Sequence, residues 1–379
     1  MKVRVVDGGR DLNAFIDLPY RLHAADPLWA PPLRIDTRSR LSRKKNPFFD
    51  EADATYFLAE RDGEVVGRIA AIANRRHDRT YDDGVAFFGF FECVDDPAVA
   101  AALFEAASSW ARERGYSRLR GPTSFSTNDE CGLLVDGFDT PPTLMMPHNP
   151  GYYVRLVEGC GFIKSKDLWA FEGDVKTDQV PARAQRAAEL IQKRQGLKIR
   201  ALDRRSFSVE VERMKEAYNQ AWESNWGFVS MSGREIDHMA AQFKPIYFPD
   251  LVPFVEIDGK IVGFGLAIPD LNEVLLANRS GRLFPAVLRL LWAVKRRKIT
   301  RMRVLLLGVL PEYQGRGIDA VLWHWLWTCG LANGAHWAEA GWILEDNATM
   351  CNAAERMGFR HYKTYRLYER AIEAGVGAS

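Results

Sequence analysis

The sequence lacks the pattern of cysteines and histidines that a disulfide-bonded or metal-binding protein would carry. Its 379 residues include 5 cysteines and 7 histidines, with no Cys-x-x-Cys pair and no two histidines spaced four apart. Odd-numbered, widely separated cysteines predict reduced thiols in a cytoplasmic protein, with neither disulfides nor a metal site. The cysteines are Cys93, Cys131, Cys160, Cys329 and Cys351.

Long apolar runs and a strong excess of charge are also missing. No stretch reaches the roughly 18 uninterrupted apolar residues of a membrane span, and no apolar segment of a secretory signal follows Met1–Arg4. The formal net charge is +2, which predicts no long-range attraction to nucleic acid. We therefore expect a cytoplasmic protein without a nucleic-acid partner.

What the sequence does contain is an internal repeat. Two segments recur at an offset of 196 residues (258 − 62), and a Gly-Phe pair recurs at 197 (358 − 161). This agreement predicts two copies of one fold: 1–178, a helical connector at 179–197, and 198–379. The matched segments are Val3–Asp7 with Ile199–Asp203, Glu60–Gly67 with Glu256–Gly263, and Gly161-Phe162 with Gly358-Phe359.

Each copy has the sequence pattern of a mixed α/β fold. Asp62-Gly63 and Asp258-Gly259 separate alternating apolar runs, which predicts type I′ hairpins. In the second copy an apolar strand at Val304–Leu310 precedes a glycine loop, a helix from Ile318 and a strand at Trp337–Leu344. The fold class is therefore α/β with a mixed sheet in two tandem copies.

The glycine loop carries the strongest chemical signal. Glu312–Gly317 joins a strand to a helix, so several backbone N–H groups and the positive end of the helix dipole would meet at one point. Gly315 and Gly317 would let a pyrophosphate approach the backbone, and Arg316 would add a charged donor. The loop predicts a site for a phosphate-bearing ligand without many lysines.

This loop resembles motif A of the GNAT superfamily, and Asn347 followed by Gly358-Phe359 resembles its motif B. The resemblance implies an acyltransferase, an N-acetyltransferase or long-chain equivalent, with acetyl-CoA or long-chain acyl-CoA as co-substrate. Asp319 departs from the family glycine or alanine, and we expect it to face outward, where a first-turn carboxylate is harmless. The implied acyl-CoA residues are Val309, Leu310, Gln314, Gly315, Arg316, Gly317, Ile318 and Asp319.

The first copy resembles the same family but lacks the loop. Val94–Pro97 is acidic there and has no glycine, so it predicts a structural partner rather than a second acyl-CoA site. Three further segments resemble the YghO-like family of two-copy GNAT proteins, to which bacterial ceramide synthases are related: Phe88–Cys93, Ser126–Phe138 and Met145–Pro150.

Catalysis by the family needs a proton acceptor and donors to the thioester oxygen. The resemblance implies backbone N–H donors near Val309-Leu310. Glu339 and Glu345, on and after the last strand, are candidate bases, with solvated strand-end carboxylates as the alternative. Ala354 stands where the family often has a tyrosine acid, so Tyr313, Tyr152 or Tyr153 would have to replace it; the alternative for each tyrosine is a packing role. Asn347 and the polar pair Asp129 and Glu130 complete the candidate catalytic residues, with an elaborate turn as the alternative for the pair.

Residues 283–298 form an apolar stretch ending in four cations. This pattern fits a peripheral contact with the inner membrane surface, or ordinary charge compensation at a helix end. The leading function is transfer of an acyl group from acyl-CoA to an amine, and this stretch together with the ceramide-synthase resemblance favours a long-chain or sphingoid-type amine. The alternatives are acetylation of a small soluble amine and an inactive acyl-CoA- or lipid-binding module.

Overall fold

The computed structural model describes residues 1–175 and 182–373. The strands, in chain order, are β1 Lys2–Val5, β2 Ala52–Arg61, β3 Glu64–Asn74, β4 Val85–Cys93, β5 Arg118–Gly121, β6 Thr123–Ser124, β7 Glu130–Cys131, β8 Leu133–Asp136, β9 Ile163–Asp174, β10 Lys198–Ala201, β11 Pro253–Ile257, β12 Lys260–Pro269, β13 Arg301–Val309, β14 Trp337–Leu344 and β15 Arg360–Ala371.

The α-helices alternate with these strands. In chain order they are α1 Gly8–Leu22, α2 Arg34–Arg40, α3 Arg75–Tyr81, α4 Pro97–Arg112, α5 Tyr152–Gly159, α6 Ala182–Gln195, α7 Phe207–Trp222, α8 Gly233–Phe243, α9 Asn272–Leu275, α10 Leu283–Lys295, α11 Ile318–Ala332 and α12 Ala348–Arg356. Short 3-10 helices span Pro47–Asp50, Arg204–Ser206, Pro249–Leu251 and Pro311–Tyr313.

The first of two compact units contains Met1–Leu168, Leu275–Pro285 and the described part of Lys363–Ser379. Its sheet runs β1-β2-β3-β4-β5, followed by the β15 residues from Lys363 onward. β4 and β5 are parallel, whereas the other pairs are antiparallel. Phe87 and Phe88 lie in different core clusters, because adjacent strand residues point to opposite faces. Helices therefore cover both faces of this sheet.

The second unit contains Trp169–Val274 and Ala286–Tyr362, within the described residues. Its sheet runs β10-β11-β12-β13-β14, followed by the β9 residues from Trp169 onward. Only β13 and β14 form a parallel pair among the strand pairs described for β10 to β14. Helix α11 packs on one face, and the ring of Trp222 on α7 lies 5.3 Å from that of Phe264 on β12.

The two copies of the sequence repeat make the same arginine–glutamate hydrogen bond at equivalent positions. Arg4 Nε donates to Glu60 at 3.0 Å, and Arg200 Nε donates to Glu256 at 3.1 Å. β1 and β2 pair in the same antiparallel register as β10 and β11. The predicted hairpins are confirmed, since Asp62 and Asp258 and the glycines after them all have positive φ.

The compact units are not continuous pieces of chain. Residues from Trp169 onward in β9 belong to the second unit, and residues from Lys363 onward in β15 belong to the first. The division into copies at 1–178 and 198–379 describes the repeat in sequence and stays a prediction. The connector proposed at 179–197 forms α6 where it is described; residues 176–181 and 374–379 lie outside the described residues.

Candidate functional site

A cavity of about 830 Å³ opens in the second unit where β13 and β14 separate. The two strands pair only from Arg301 with Trp337 to Val304 with Ala340, although both continue for four or five residues. The β12–β13 register shifts at this level, and such a bulge bends and twists a strand. The lining residues are Ala221, Trp222, Ser224, Asn225, Trp226, Val304, Leu305, Leu307, Gly308, Val309, Tyr313, Gln314, Gly315, Ile318, Asp319, Trp323, Ala340, Gly341, Trp342, Ile343, Leu344, Asp346, Asn347, Thr349 and Met350.

The predicted phosphate loop contributes residues to the lining of this cavity. Gly315 and Gly317 have φ of 73° and 79°, and α11 begins at Ile318. In the described structure, the backbone N–H groups from Gly315 to Asp319 donate to no protein acceptor. Unpaired N–H groups at a helix N-terminus form a ready anion site. We call these five groups the amide nest.

A glycine is needed at each of the two loop positions for a different structural reason. A Cβ on Gly315 would have no atom within 4 Å, so its position faces open space. A Cβ on Gly317 would instead lie 2.6 Å from Ile191 Cδ1 on α6. Gln195, also on α6, donates to the Arg316 carbonyl at 2.8 Å. The expected approach of a ligand therefore explains Gly315, whereas Gly317 also makes room for the connector helix.

Charged residues lie around the nest. Asp319, whose side chain we expected to face outward, is half-buried and is one of the residues that line the cavity. Asp346 lines it as well, and the lining residues include no lysine or arginine. Arg316 is exposed beside the loop and stacks over the Tyr313 ring at 4.9 Å. Attraction for an anion therefore depends on the amide nest and on Arg316.

One of the two expected oxyanion donors is already engaged. The Leu310 N–H donates to the Val262 carbonyl of β12 at 2.9 Å, so it is not available to a ligand. Successive N–H groups of a strand point to opposite edges. The Val309 N–H therefore points to the edge from which β14 has separated, and Val309 lines the cavity. Gln314 has a supporting role, since its side chain donates to the Val309 carbonyl at 3.2 Å.

Glu339 lies in a buried ion pair instead of at the cavity wall. Its side chain is fully buried, 3.5 Å from Arg303 Nε, and it accepts a hydrogen bond from the Tyr362 hydroxyl. Arg303 also donates to the Gly341 carbonyl at 3.2 and 2.8 Å. The wall is formed by the β14 residues from Ala340 to Leu344. This geometry favours a structural role for Glu339.

The other two second-unit candidates differ in position. Asn347 lines the cavity, and its side-chain oxygen caps α12 by accepting from the Met350 N–H at 3.1 Å. Its amide NH₂ can therefore donate to a ligand. Glu345 is half-buried next to Leu344 and Asp346, which line the cavity. Tyr313 lines the cavity, whereas Ala354 is fully buried in α12.

Several residues that line the cavity were not predicted from the sequence. Trp222 is the last residue of α7, Asn225 and Trp226 lie in the turn that follows, and Trp342 and Asp346 lie on either side of the end of β14. Two tryptophans so close together in the sequence were a usable signal for an aromatic wall. For Asp346, its place directly before the motif-B asparagine was the only pointer in the sequence.

Asp129 and Glu130 lie in the first unit, in a turn that is held by Arg40. Arg40 lies 3.2 Å from Glu130, and Ser126 donates to Asp129 at 3.3 Å. Burial raises the pKa of Asp129, although the positive charge of Arg40 opposes that shift. Asp96 occupies the start of α4 as a cap, accepting from the Ala98 N–H at 2.8 Å. At the start of α4 the Asp96 side chain therefore accepts a backbone N–H, whereas the N–H groups of the amide nest at the start of α11 donate to no protein acceptor in the described structure.

The family segments of the first unit build a buried polar network. Glu92 contacts His23 at 2.8 Å, Tyr153 at 2.7 Å and Arg68 at 3.4 Å. His148 contacts Asp26 at 2.7 Å. Tyr152 donates to the Cys93 carbonyl at 2.8 Å. Tyr152 and Tyr153 are thus used in the first unit's interior. No cluster of three or more potential metal ligands occurs within the described residues.

Comparison with known proteins agrees with this geometry. No family model matches the chain. It is 38% identical over 371 residues to the bacterial ceramide synthase of Caulobacter vibrioides, covering 96% of this chain and 95% of that protein. It is also 38% identical over 375 residues to protein YghO of Escherichia coli, covering 98% and 95%.

Among solved structures, a tandem GNAT protein from the clavulanic acid biosynthesis pathway covers 98% of both chains. Its TM-score is 0.60 at 13% sequence identity, which shows the shared fold and confirms the tandem GNAT prediction. The full-length identity to the two bacterial relatives shows the family. The chain therefore belongs to the tandem-GNAT acyltransferase family that contains these two relatives.

Proposed function

We propose that the second unit transfers an acyl group from acyl-CoA to an amine. The observation that carries this proposal is that the separated β13 and β14 strands and residues of the amide nest line the same cavity. A coenzyme A thioester combines a pyrophosphate with an extended arm, and these two features match the nest and the opening between the strands. The donor is a co-substrate in this proposal.

The reaction forms a C–N bond and breaks the C–S bond of the thioester. The amine attacks the carbonyl carbon, and the Val309 N–H donates to the oxygen as negative charge develops there. The amine proton passes to a carboxylate and the thiolate receives a proton, so the products are an amide and free coenzyme A. Asp346 lines the cavity and Glu345 lies beside it, which makes this pair better placed than Glu339 to accept the proton. Tyr313 is the candidate donor to the thiolate.

We propose a long-chain amine of the sphingoid type as the acceptor. The cavity wall includes Trp222, Trp226, Trp323 and Trp342, which favour an apolar chain. Asp319 and Asp346 provide negative charge that would attract an ammonium group. The name of the Caulobacter relative, bacterial ceramide synthase, points to the same class. The length of the acyl chain is left to the assay.

The test is release of free thiol from acetyl-CoA or palmitoyl-CoA in the presence of sphinganine or of a small soluble amine. We expect turnover with sphinganine and a rate at least about tenfold lower for Asp346→Asn. Asp258→Asn is the matched control, because Asp258 lies exposed at a hairpin tip of the same unit. Equal rates for sphinganine and the small amine would select the soluble-acceptor alternative.

The inactive binding module is a second candidate, favoured by two observations. Asp319 is an acidic residue among those that line the cavity, next to the nest, and Ala354 provides no acid group. This candidate predicts binding of acyl-CoA without thiol release from any donor and amine pair, and that result would overturn the proposed transfer.

A further inference from the structure

Helix α10 is apolar on two opposite sides. Ala286, Leu290 and Ala293 are buried on one side. Leu288, Leu291 and Trp292 are 60%, 51% and 58% exposed. Their spacing of three and four residues places these three side chains on one face of the helix, opposite the buried one. We call Leu288, Leu291 and Trp292 the outer face.

The outer face concentrates exposed apolar side chains that are otherwise scattered. Elsewhere in the described chain, large exposed apolar residues such as Ile163 and Val209 lie on separate elements. Single exposed apolar side chains are ordinary, whereas grouped ones mark an interaction surface. Phe284, at the start of α10, is 66% exposed as well. Packing of α10 against the rest of the protein uses only its buried side, so the exposed apolar side chains of the outer face need a separate explanation.

Positive charge surrounds this face without any acidic residue nearby in the chain. Arg289, Lys295, Arg296 and Lys298 are exposed. The sequence has no aspartate or glutamate between Glu273 and Glu312. Arg297 differs from the others, because it has positive φ and donates to the Ala332 carbonyl at 3.4 Å. The remaining four cations form a basic border to the outer face.

We propose that the outer face and its basic border dock the protein onto an anionic lipid bilayer. The three apolar side chains enter the level of the headgroups, and the four cations contact lipid phosphates and carboxylates. A second copy of this chain is disfavoured as the occupant, since two copies would bring their basic borders together. None of the described helices is long and apolar enough to cross a membrane; α10 would lie on the surface.

The experiment is flotation of the full chain with vesicles of equimolar phosphatidylcholine and phosphatidylglycerol, and with phosphatidylcholine vesicles alone. The apolar variant is Leu288→Ser/Leu291→Ser/Trp292→Ser, matched by Ile163→Ser/Val209→Ser. The charge variant is Lys295→Gln/Arg296→Gln/Lys298→Gln, matched by Lys44→Gln/Lys45→Gln, a pair of exposed lysines. Circular dichroism melting confirms that each variant is folded.

We expect the wild type to float with the anionic vesicles and only weakly with the neutral ones. The apolar and charge variants each lose more than about tenfold of this partitioning, and their controls retain it. Wild-type levels of flotation for the apolar variant would overturn the proposal. Absence of wild-type flotation with the anionic vesicles would overturn it as well. A dimer that the apolar variant dissociates would then assign the outer face to a second copy of the chain. Coenzyme A binding is measured on the same samples, so failure of docking is separable from failure of the donor site.

Discussion

Ile191 Cδ1 lies 2.6 Å from the position that a Cβ on Gly317 would occupy. Ile191 on α6 therefore lies close to the loop that carries the amide nest and leaves no room for a side chain at Gly317. We therefore expect Gly317→Ala to lower the free energy of unfolding by about 2–4 kcal/mol, from the clash together with the positive φ. Chemical denaturation measures the loss.

Two variants separate the clash from the backbone strain. Ile191→Val removes the Cδ1 atom, so it should restore part of the stability lost in Gly317→Ala. Gly315→Ala has the same kind of φ but open space around its Cβ, and should lose only about 1–2 kcal/mol. Equal losses for the two glycines would mean that Ile191 does not press on Gly317.

Glu339 should matter for stability more than for the chemical step. Its replacement by glutamine leaves the buried Arg303 without its carboxylate, which we expect to lower the free energy of unfolding by about 3–5 kcal/mol. Glu345→Gln, at a half-buried position, should lower it by less than Glu339→Gln does. The measurement combines urea unfolding with turnover per folded molecule. A stable Glu339→Gln protein that has lost turnover would reinstate Glu339 as the base.

Asp319 should oppose binding of coenzyme A. Since Asp319 is the second residue of α11 and is one of the residues that line the cavity, Asp319→Asn removes a negative charge close to the amide nest. We expect coenzyme A to bind up to about tenfold more tightly, with a loss of about 0.3–1 kcal/mol in helix stability. Calorimetric titration gives the first quantity. Weaker binding of coenzyme A by Asp319→Asn would contradict this expectation and would show that Asp319 helps to hold the loop in its binding conformation.

Acid should destabilise the second unit through Glu256. Burial raises the pKa of Glu256, but hydrogen bonds from Arg200 and Arg213 outweigh it, and the net shift is downward. A carboxyl whose pKa is lower in the folded state stabilises the fold at pH values above its unfolded-state pKa of about 4.3. This stabilisation is lost as the pH falls toward the folded-state pKa. We expect Glu256→Gln to flatten the decline of unfolding free energy below about pH 5.

Glu60 is the internal control for this acid response. It occupies the same repeat position and pairs with Arg4, but its side chain is 29% exposed against 8% for Glu256. Solvent screens the more exposed pair, so Glu60→Gln should alter the pH dependence less. A larger effect of Glu60→Gln would contradict the assignment of the acid response to the buried pair.

Local signals in the sequence predicted the elements well. The strand expected at Trp337–Leu344 has those bounds, and the helix expected from Ile318 begins at that residue as α11. Both follow from nearby residues, since apolar periodicity and a glycine before a helix are local signals. The two Asp-Gly hairpins were predictable because their turn type needs positive φ at both positions.

The contacts between distant residues could not be predicted in this way. No pattern in the sequence shows that β9 and β15 each divide between the two compact units. The sequence likewise placed Glu339 on a strand without showing that Arg303 and Tyr362 bury it. Engagement of the Leu310 N–H by Val262 depends on strand register, which the candidate residues themselves do not encode.

Titration calorimetry of coenzyme A, acetyl-CoA and palmitoyl-CoA with Gly315→Asp and Gly315→Asn tests the central claim most directly. Aspartate and asparagine have the same shape and both tolerate positive φ, so the two variants differ in a charge placed at the amide nest. We expect wild type to bind, Gly315→Asn to bind more weakly, and Gly315→Asp to bind at least about tenfold more weakly than Gly315→Asn. Equal affinities for the two variants, or no binding by wild type at millimolar ligand, would contradict a donor site at this loop.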